Sequence, residues 1–147
     1  MINNYYPIEI SSDLITFEFI SEGPKGKIVK FVEFKEIGAN LYNLGFGDKD
    51  DSTGIANDLS ITNNGDSKKV LWTVAATVNA FSNKYRNAII VAAGSTRSRT
   101  RLYQMSISNN LEIIEKDYLI MGLNLQDEWV PFERGVTYGA FLIKRKS

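Results

Sequence analysis

The chain has 147 residues, of which 44% are hydrophobic, and its 17 basic and 17 acidic side chains leave no net charge. That composition fits a single soluble globular domain over residues 1–147 and argues against a general nucleic-acid binder. Neither histidine nor cysteine occurs, which excludes the usual zinc sites, the Ser–His and Cys–His nucleophile systems and any disulfide framework.

Catalysis, if present, would have to use carboxylates, lysine, tyrosine, arginine or backbone groups. A metal could enter only as an oxygen-ligated ion, and none is expected. No apolar run is long enough to span a membrane. The start, Met1-Ile2-Asn3-Asn4-Tyr5-Tyr6-Pro7, has neither the basic opening nor the apolar core of a signal peptide. A cytoplasmic location is therefore expected.

In chain order, Thr16 to Ile20 alternates, turns at Ser21–Gly26, and alternates again from Lys27 to Ile37, which predicts a β-hairpin. Leu41 to Phe46 is a third strand with Tyr42, Leu44 and Phe46 on one face. The polar, acidic stretch Gly47–Asn57 reads as a loop, and Leu59–Ile61 as a brief strand. A helix from about Ser67 to Tyr85 follows, capped by Asp66 or Ser67. Its apolar stripe is Val70, Leu71, Val74, Ala75, Val78, Phe81 and Tyr85, with Trp72 on the far side. Ala88 to Ala93 is wholly apolar, as expected of a central strand. A second helix spans roughly Thr96 to Ser108. Leu111–Ile114 reads as a strand, Tyr118–Leu123 and Trp129–Phe132 as a hairpin, and Tyr138–Ile143 as the last strand. The order β-β-β-α-β-α-β-β-β predicts an α+β domain, a mostly antiparallel sheet with two packed helices.

The most informative segment is Gly94-Ser95-Thr96-Arg97-Ser98-Arg99-Thr100-Arg101-Leu102-Tyr103-Gln104. A strand that ends in Gly-Ser-Thr and turns into an arginine-bearing helix presents free N–H groups and positive charge together, which suits phosphates and carboxylates. At about 100° per residue, Arg97, Arg101, Gln104 and Ser108 share a polar stripe that reads as solvated. Arg99 lies opposite Arg97, beside Tyr103. It requires either a structural carboxylate, with Glu18 and Glu33 as candidates, or an anionic ligand. Arg97 gains nothing from the dipole of a first turn unless an anion is bound.

Other groupings are weaker. Asp48, Asp50, Asp51 and Asp58 crowd one loop, but Gly54 is one place late for a calcium loop and Leu59 stands where its glutamate belongs. They read as a solvated turn. Asn64–Lys69 reads as a helix cap, without the spacing of a nucleotide loop. Phe17, Phe19, Phe31, Phe34, Tyr42 and Phe46 read as core.

Two resemblances add to this. The series Phe17–Gly26, Leu41–Leu44, Thr62–Asp66, Gly94–Thr96 and Arg99–Gln104 resembles a family of small bacterial proteins catalogued only as a domain of unknown function. That resemblance implies no activity. The element order is also similar to the later part of GNAT-type N-acetyltransferases, whose second helix often carries Asn-x-x-Ala-x-x-Leu-Tyr with the tyrosine as general acid toward coenzyme A. Leu102-Tyr103 matches the end of that pattern, so the likeness implies Tyr103 as the one catalytic candidate. Thr96 and Arg99 stand where the asparagine and alanine would be, and Asn63–Asp66 replaces the pyrophosphate loop. Coenzyme A is thus not expected, nor any other cofactor.

Together these readings favour a domain that binds a small anionic or phosphate-bearing ligand through Gly94, Ser95, Thr96, Arg99 and Tyr103. The alternatives are a protein- or RNA-interaction module using Arg97 and Arg101, and a degenerate acyltransferase-like protein.

Overall fold

Alternation from residue 16 onward folds as the expected hairpin, and the rest of the first unit is built around it. A computed structural model describes residues 4–49, 56–57, 65–94 and 97–146. The chain divides into two compact units, one drawn from Met1–Lys35 and Gly45–Lys84, the other from Glu36–Leu44 and Tyr85–Ser147. The strands are mostly antiparallel, and the fold is mixed α+β.

In the first unit, β1 (Glu9–Ile10), β2 (Thr16–Gly23), β3 (Gly26–Gly38, through Lys35) and β4 (Leu41–Lys49, from Gly45) lie in that order, with β5 (Ala56–Asn57) paired to β4. Gly26, at φ 89°, takes the left-handed position that closes the β2–β3 turn. One face of this hairpin buries Phe17, Phe19 and Ser21 from β2, and Lys30, Val32 and Phe34 from β3. Helix α1 (Ser67–Lys84) covers it, and Phe81 stacks on Phe34 at 4.1 Å between centroids.

Val70, Val74, Val78 and Phe81 are buried as the stripe predicts, but the most enclosed α1 residues also include Thr73, Thr77 and Ser82. Each hydroxyl is satisfied by a carbonyl of its own helix: Thr73 donates to Lys69, Thr77 to Val74 and Ser82 to Asn79. This back-bonding lets small polar residues fill the core-facing surface and rotates the buried face away from Leu71 and Ala75. Both of those are half-buried.

In the second unit, β4 (through Leu41–Asn43) pairs in parallel with β6 (Ile89–Ala92), and the order continues through β9 (Phe141–Arg145) and β7 (Tyr118–Leu123) to β8 (Trp129–Pro131). Helices α2 (Arg97–Asn109) and α3 (Leu111–Asp117) lie between β6 and β7 in the chain. The expected strand at Leu111–Ile114 is therefore a helix. Asn110 explains the change: its carbonyl accepts from both Ile113 and Ile114, and its side chain donates to Ser106, so one residue ends α2 and begins α3. The last strand begins at Phe141 rather than Tyr138, because the Tyr138 ring folds back over Gly122. A Cβ there would sit 2.4 Å from that ring.

The expected strand at Leu59–Ile61 lies outside the described residues. Among the described residues, no helix is long and apolar enough to cross a membrane.

Candidate functional site

Helix α2 carries the candidate site of the second unit. Its buried residues are Arg99, Tyr103 and Ile107, four apart and therefore on one face. Arg99 is 7% exposed and Tyr103 6%, whereas Arg97 and Arg101 are exposed. The helical projection thus separates the three arginines as expected. No acidic residue occupies the first turn of α2.

Gly94 holds the turn from β6 against that first turn. Its N–H donates to Thr100 Oγ1 at 3.0 Å, and the same hydroxyl lies 3.4 Å from the Gly94 carbonyl. A Cβ at position 94 would fall 2.4 Å from the Thr100 amide nitrogen and 2.7 Å from Arg99 Cβ, so only glycine allows this approach. The Gly94 amide is therefore spent on the helix, and Gly94 positions Arg99 rather than meeting a ligand through its N–H. Ser95 and Thr96 lie outside the described residues.

The polar stripe of α2 is less solvated than the sequence suggests. Gln104 Oε1 accepts from the Tyr138 amide at 3.2 Å while its Nε2 donates to the Val136 carbonyl. Arg134 Nε donates to the Ser108 carbonyl at 3.0 Å. These bonds pin the segment before β9 to the helix, and such long-range partners leave no local pattern in the sequence. Arg97 and Arg101 keep an open surface beside the exposed Leu102 and Met105.

The two carboxylates considered for Arg99 are otherwise placed in the first unit. Glu18 binds Lys49 Nζ at 2.8 Å, and Glu33 is exposed.

Among the described residues of the first unit, one buried and one half-buried polar grouping stand out. Lys30 Nζ meets Asp48 Oδ1 at 2.5 Å, with the lysine side chain 1% exposed, and it lies 5.9 Å from the Phe46 ring centroid. Asp48 thus belongs to β4 and to the interior rather than to a solvated turn, while Asp50, Asp51 and Asp58 lie outside the described residues. At the start of α1, the Asp66 carbonyl accepts the helix's first bond, from Val70, and its Oδ2 accepts from Tyr6 Oη and Ser21 Oγ, each at 2.5 Å. Tyr6 is fastened further by its amide, which donates to Thr73 Oγ1 at 3.0 Å, and Lys69 Nζ lies over its ring. Asp66 holds the cap position that the sequence indicates, with its carboxylate turned to these hydroxyls.

Burial, and then the Asp66 carboxylate, push the Tyr6 phenol above the ordinary tyrosine range. Burial, followed by the Glu36 and Tyr85 charges, does the same to Tyr42. A phenol whose pKa is raised by folding contributes its full stability below the unfolded value, about 10, and loses it as pH rises through the folded value. Unfolding free energy should therefore fall above about pH 10, and Tyr6→Phe or Tyr42→Phe should flatten that fall. Phenolate absorbance followed against pH provides the check. Tyr6 and Tyr42 should ionise later in the native protein than in urea.

The chain matches the DUF6934 model, described as a family of unknown function, over residues 2–146. No curated protein and no solved structure matches it.

Proposed function

The chain belongs to the DUF6934 family, and we propose that its second unit binds a small anionic or phosphate-bearing ligand at the start of α2. The carrying observation is that the fold encloses an arginine in the first turn of a helix that has no acidic residue there. The dipole of a 13-residue helix already places partial positive charge at that end. A guanidinium in that turn adds to the positive potential and makes the position favourable for an anion. The Arg99 guanidinium would supply charge-assisted bonds, the amides of the first turn would add neutral ones, and the Tyr103 hydroxyl would supply a donor. Gly94 would set the approach of strand to helix. Ser95 and Thr96 enter this reading from the sequence alone.

Inorganic pyrophosphate, titrated calorimetrically, is the first probe. Arg99→Ala should weaken binding about tenfold or more, as expected for a lost hydrogen bond to a charged group. Arg97→Ala with Arg101→Ala should weaken it less. Unchanged binding in a folded Arg99→Ala protein would sink the reading.

A second reading draws on the exposed side of the same helix. Arg97 and Arg101 beside Leu102, 38% exposed, and Met105, 50% exposed, form a mixed basic and apolar surface suited to a protein or RNA partner. It requires those two arginines to matter more than Arg99, and RNA binding would be strongly salt-dependent.

A further inference from the structure

The first unit carries a groove of about 450 Å³ between the segment Tyr6–Glu9 and the outer edge of β2. Its cause is a break in strand pairing. Phe34 donates to the Ile15 carbonyl, so odd-numbered residues from 15 onward bond toward β3, and the even-numbered residues of β2 point their N–H and C=O groups the other way. Thr16 exchanges bonds there with Ser11, and Glu18 pairs with Glu9. The same register would next bring Pro7 opposite Ile20. Proline has no N–H to give, and pairing stops.

Two residues further on, the Tyr6 hydroxyl takes over the role of a strand. It accepts from the Glu22 amide at 3.1 Å and lies 3.3 Å from the Glu22 carbonyl. Between these points, the edge-side N–H and C=O of Ile20 meet no hydrogen-bonding partner among the described residues. They face the groove.

Its rim is acidic. Glu9 stands directly across from Glu18, an arrangement of like charges that disfavours the pair unless a cation lies between them. Lys49 holds Glu18 at 2.8 Å, and Lys27 approaches Glu22 only at 3.7 Å with both side chains more than half exposed. Glu9 has no cationic partner among the described residues. The walls nearest Ile20 are apolar: Pro7, Ile8 and Val29, the last being Ile20's partner across β2–β3.

We infer that this groove takes an extended peptide segment carrying a lysine or arginine. The peptide's backbone bonds the open edge groups of Ile20, the aliphatic stem of the basic residue lies along Ile20 and Val29, and its cation sits at Glu9 and Glu18. Edge pairing supplies affinity in such an arrangement, and the side-chain site supplies selectivity. This site is independent of the α2 reading and stands or falls separately.

The test is an amide-resolved NMR titration of the full chain with acetyl-Val-Lys-Val-amide, acetyl-Val-Glu-Val-amide and 1,5-diaminopentane. The lysine peptide should move the Ile20 amide resonance saturably and bind about tenfold more tightly than either other probe, a difference of about 1.4 kcal/mol. Glu9→Gln should weaken it severalfold without lowering the unfolding midpoint, because that carboxylate has no cationic partner among the described residues to lose and faces a like charge. Ile20→Pro, verified as folded by circular dichroism, should abolish binding by removing the edge donor. Equal binding of the two peptides, diamine binding as tight as the peptide's, or an unmoved Ile20 amide would overturn the proposal. So would a concentration-dependent shift of that amide without peptide, which would mark a second copy of the chain as the occupant.

Discussion

Asp48→Ala is expected to cost about 3–5 kcal/mol, the usual penalty for removing one partner of a buried ion pair. A typical domain has only about 5–15 kcal/mol in total, so the variant should be close to unfolding at ordinary temperature. The cause is the ammonium that remains. Lys30 is 1% exposed and sits 2.5 Å from the carboxylate, and a lysine so enclosed cannot recover the hydration it gave up on folding. Urea unfolding should show a large drop in midpoint with little change in slope. Lys30→Met with Asp48→Leu removes both charges and keeps the volume filled, so this double variant should be near or above the parent. If Asp48→Ala alone were neutral, the pair would not hold the interior of the first unit.

The second large effect is expected at Gly94→Ala. The new methyl would stand 2.4 Å from the Thr100 nitrogen and 2.7 Å from Arg99 Cβ. Backbone cannot yield as a side-chain tip can, so the turn must lift away from α2. Overpacking of this kind costs about 1–3 kcal/mol, and here it also displaces the first turn that carries Arg99. Thermal unfolding should show the loss, and pyrophosphate binding should fall with it. Gly139→Ala provides the control, since a Cβ there meets nothing within 4 Å. Equal behaviour of the two variants would mean that the contact between Gly94 and the helix is unimportant.

Much of this architecture is legible in the residue pattern. Alternation finds β2, β3 and β4, and the 3.6-residue period finds α1 and separates Arg99 and Tyr103 from Arg97 and Arg101. Leu111–Ile114 fails because four residues are too few to distinguish a buried strand from a helix turn, and the deciding group is the Asn110 carbonyl. The buried ion pair did leave a signal. Asp48 continues the inward series Tyr42, Leu44, Phe46, and Lys30 continues Val32 and Phe34 in reverse, so opposite charges occupy two inward positions on neighbouring strands. Composition hides this, because Asp48 opens an acidic run and reads with it. The Tyr6–Ser21–Asp66 grouping joins residues 60 and 45 positions apart. The position of Pro7 opposite Ile20 becomes meaningful only once strand register is fixed. At the α2 site the sequence supplies residue types and face, whereas the engagement of Gly94 by Thr100 and of Gln104 by Tyr138 needs the folded chain.

We propose that the enclosed arginine face of α2 receives an anion. An amide-resolved NMR titration with inorganic phosphate tests it most directly, at constant ionic strength set with chloride. Saturable shifts are expected at residues 97–103, abolished by Arg99→Ala and weakened by Arg99→Lys, which keeps the charge but loses the planar fork. Shifts confined to the exposed Arg97 and Arg101 surface and persisting in Arg99→Ala, or none at all, would contradict it.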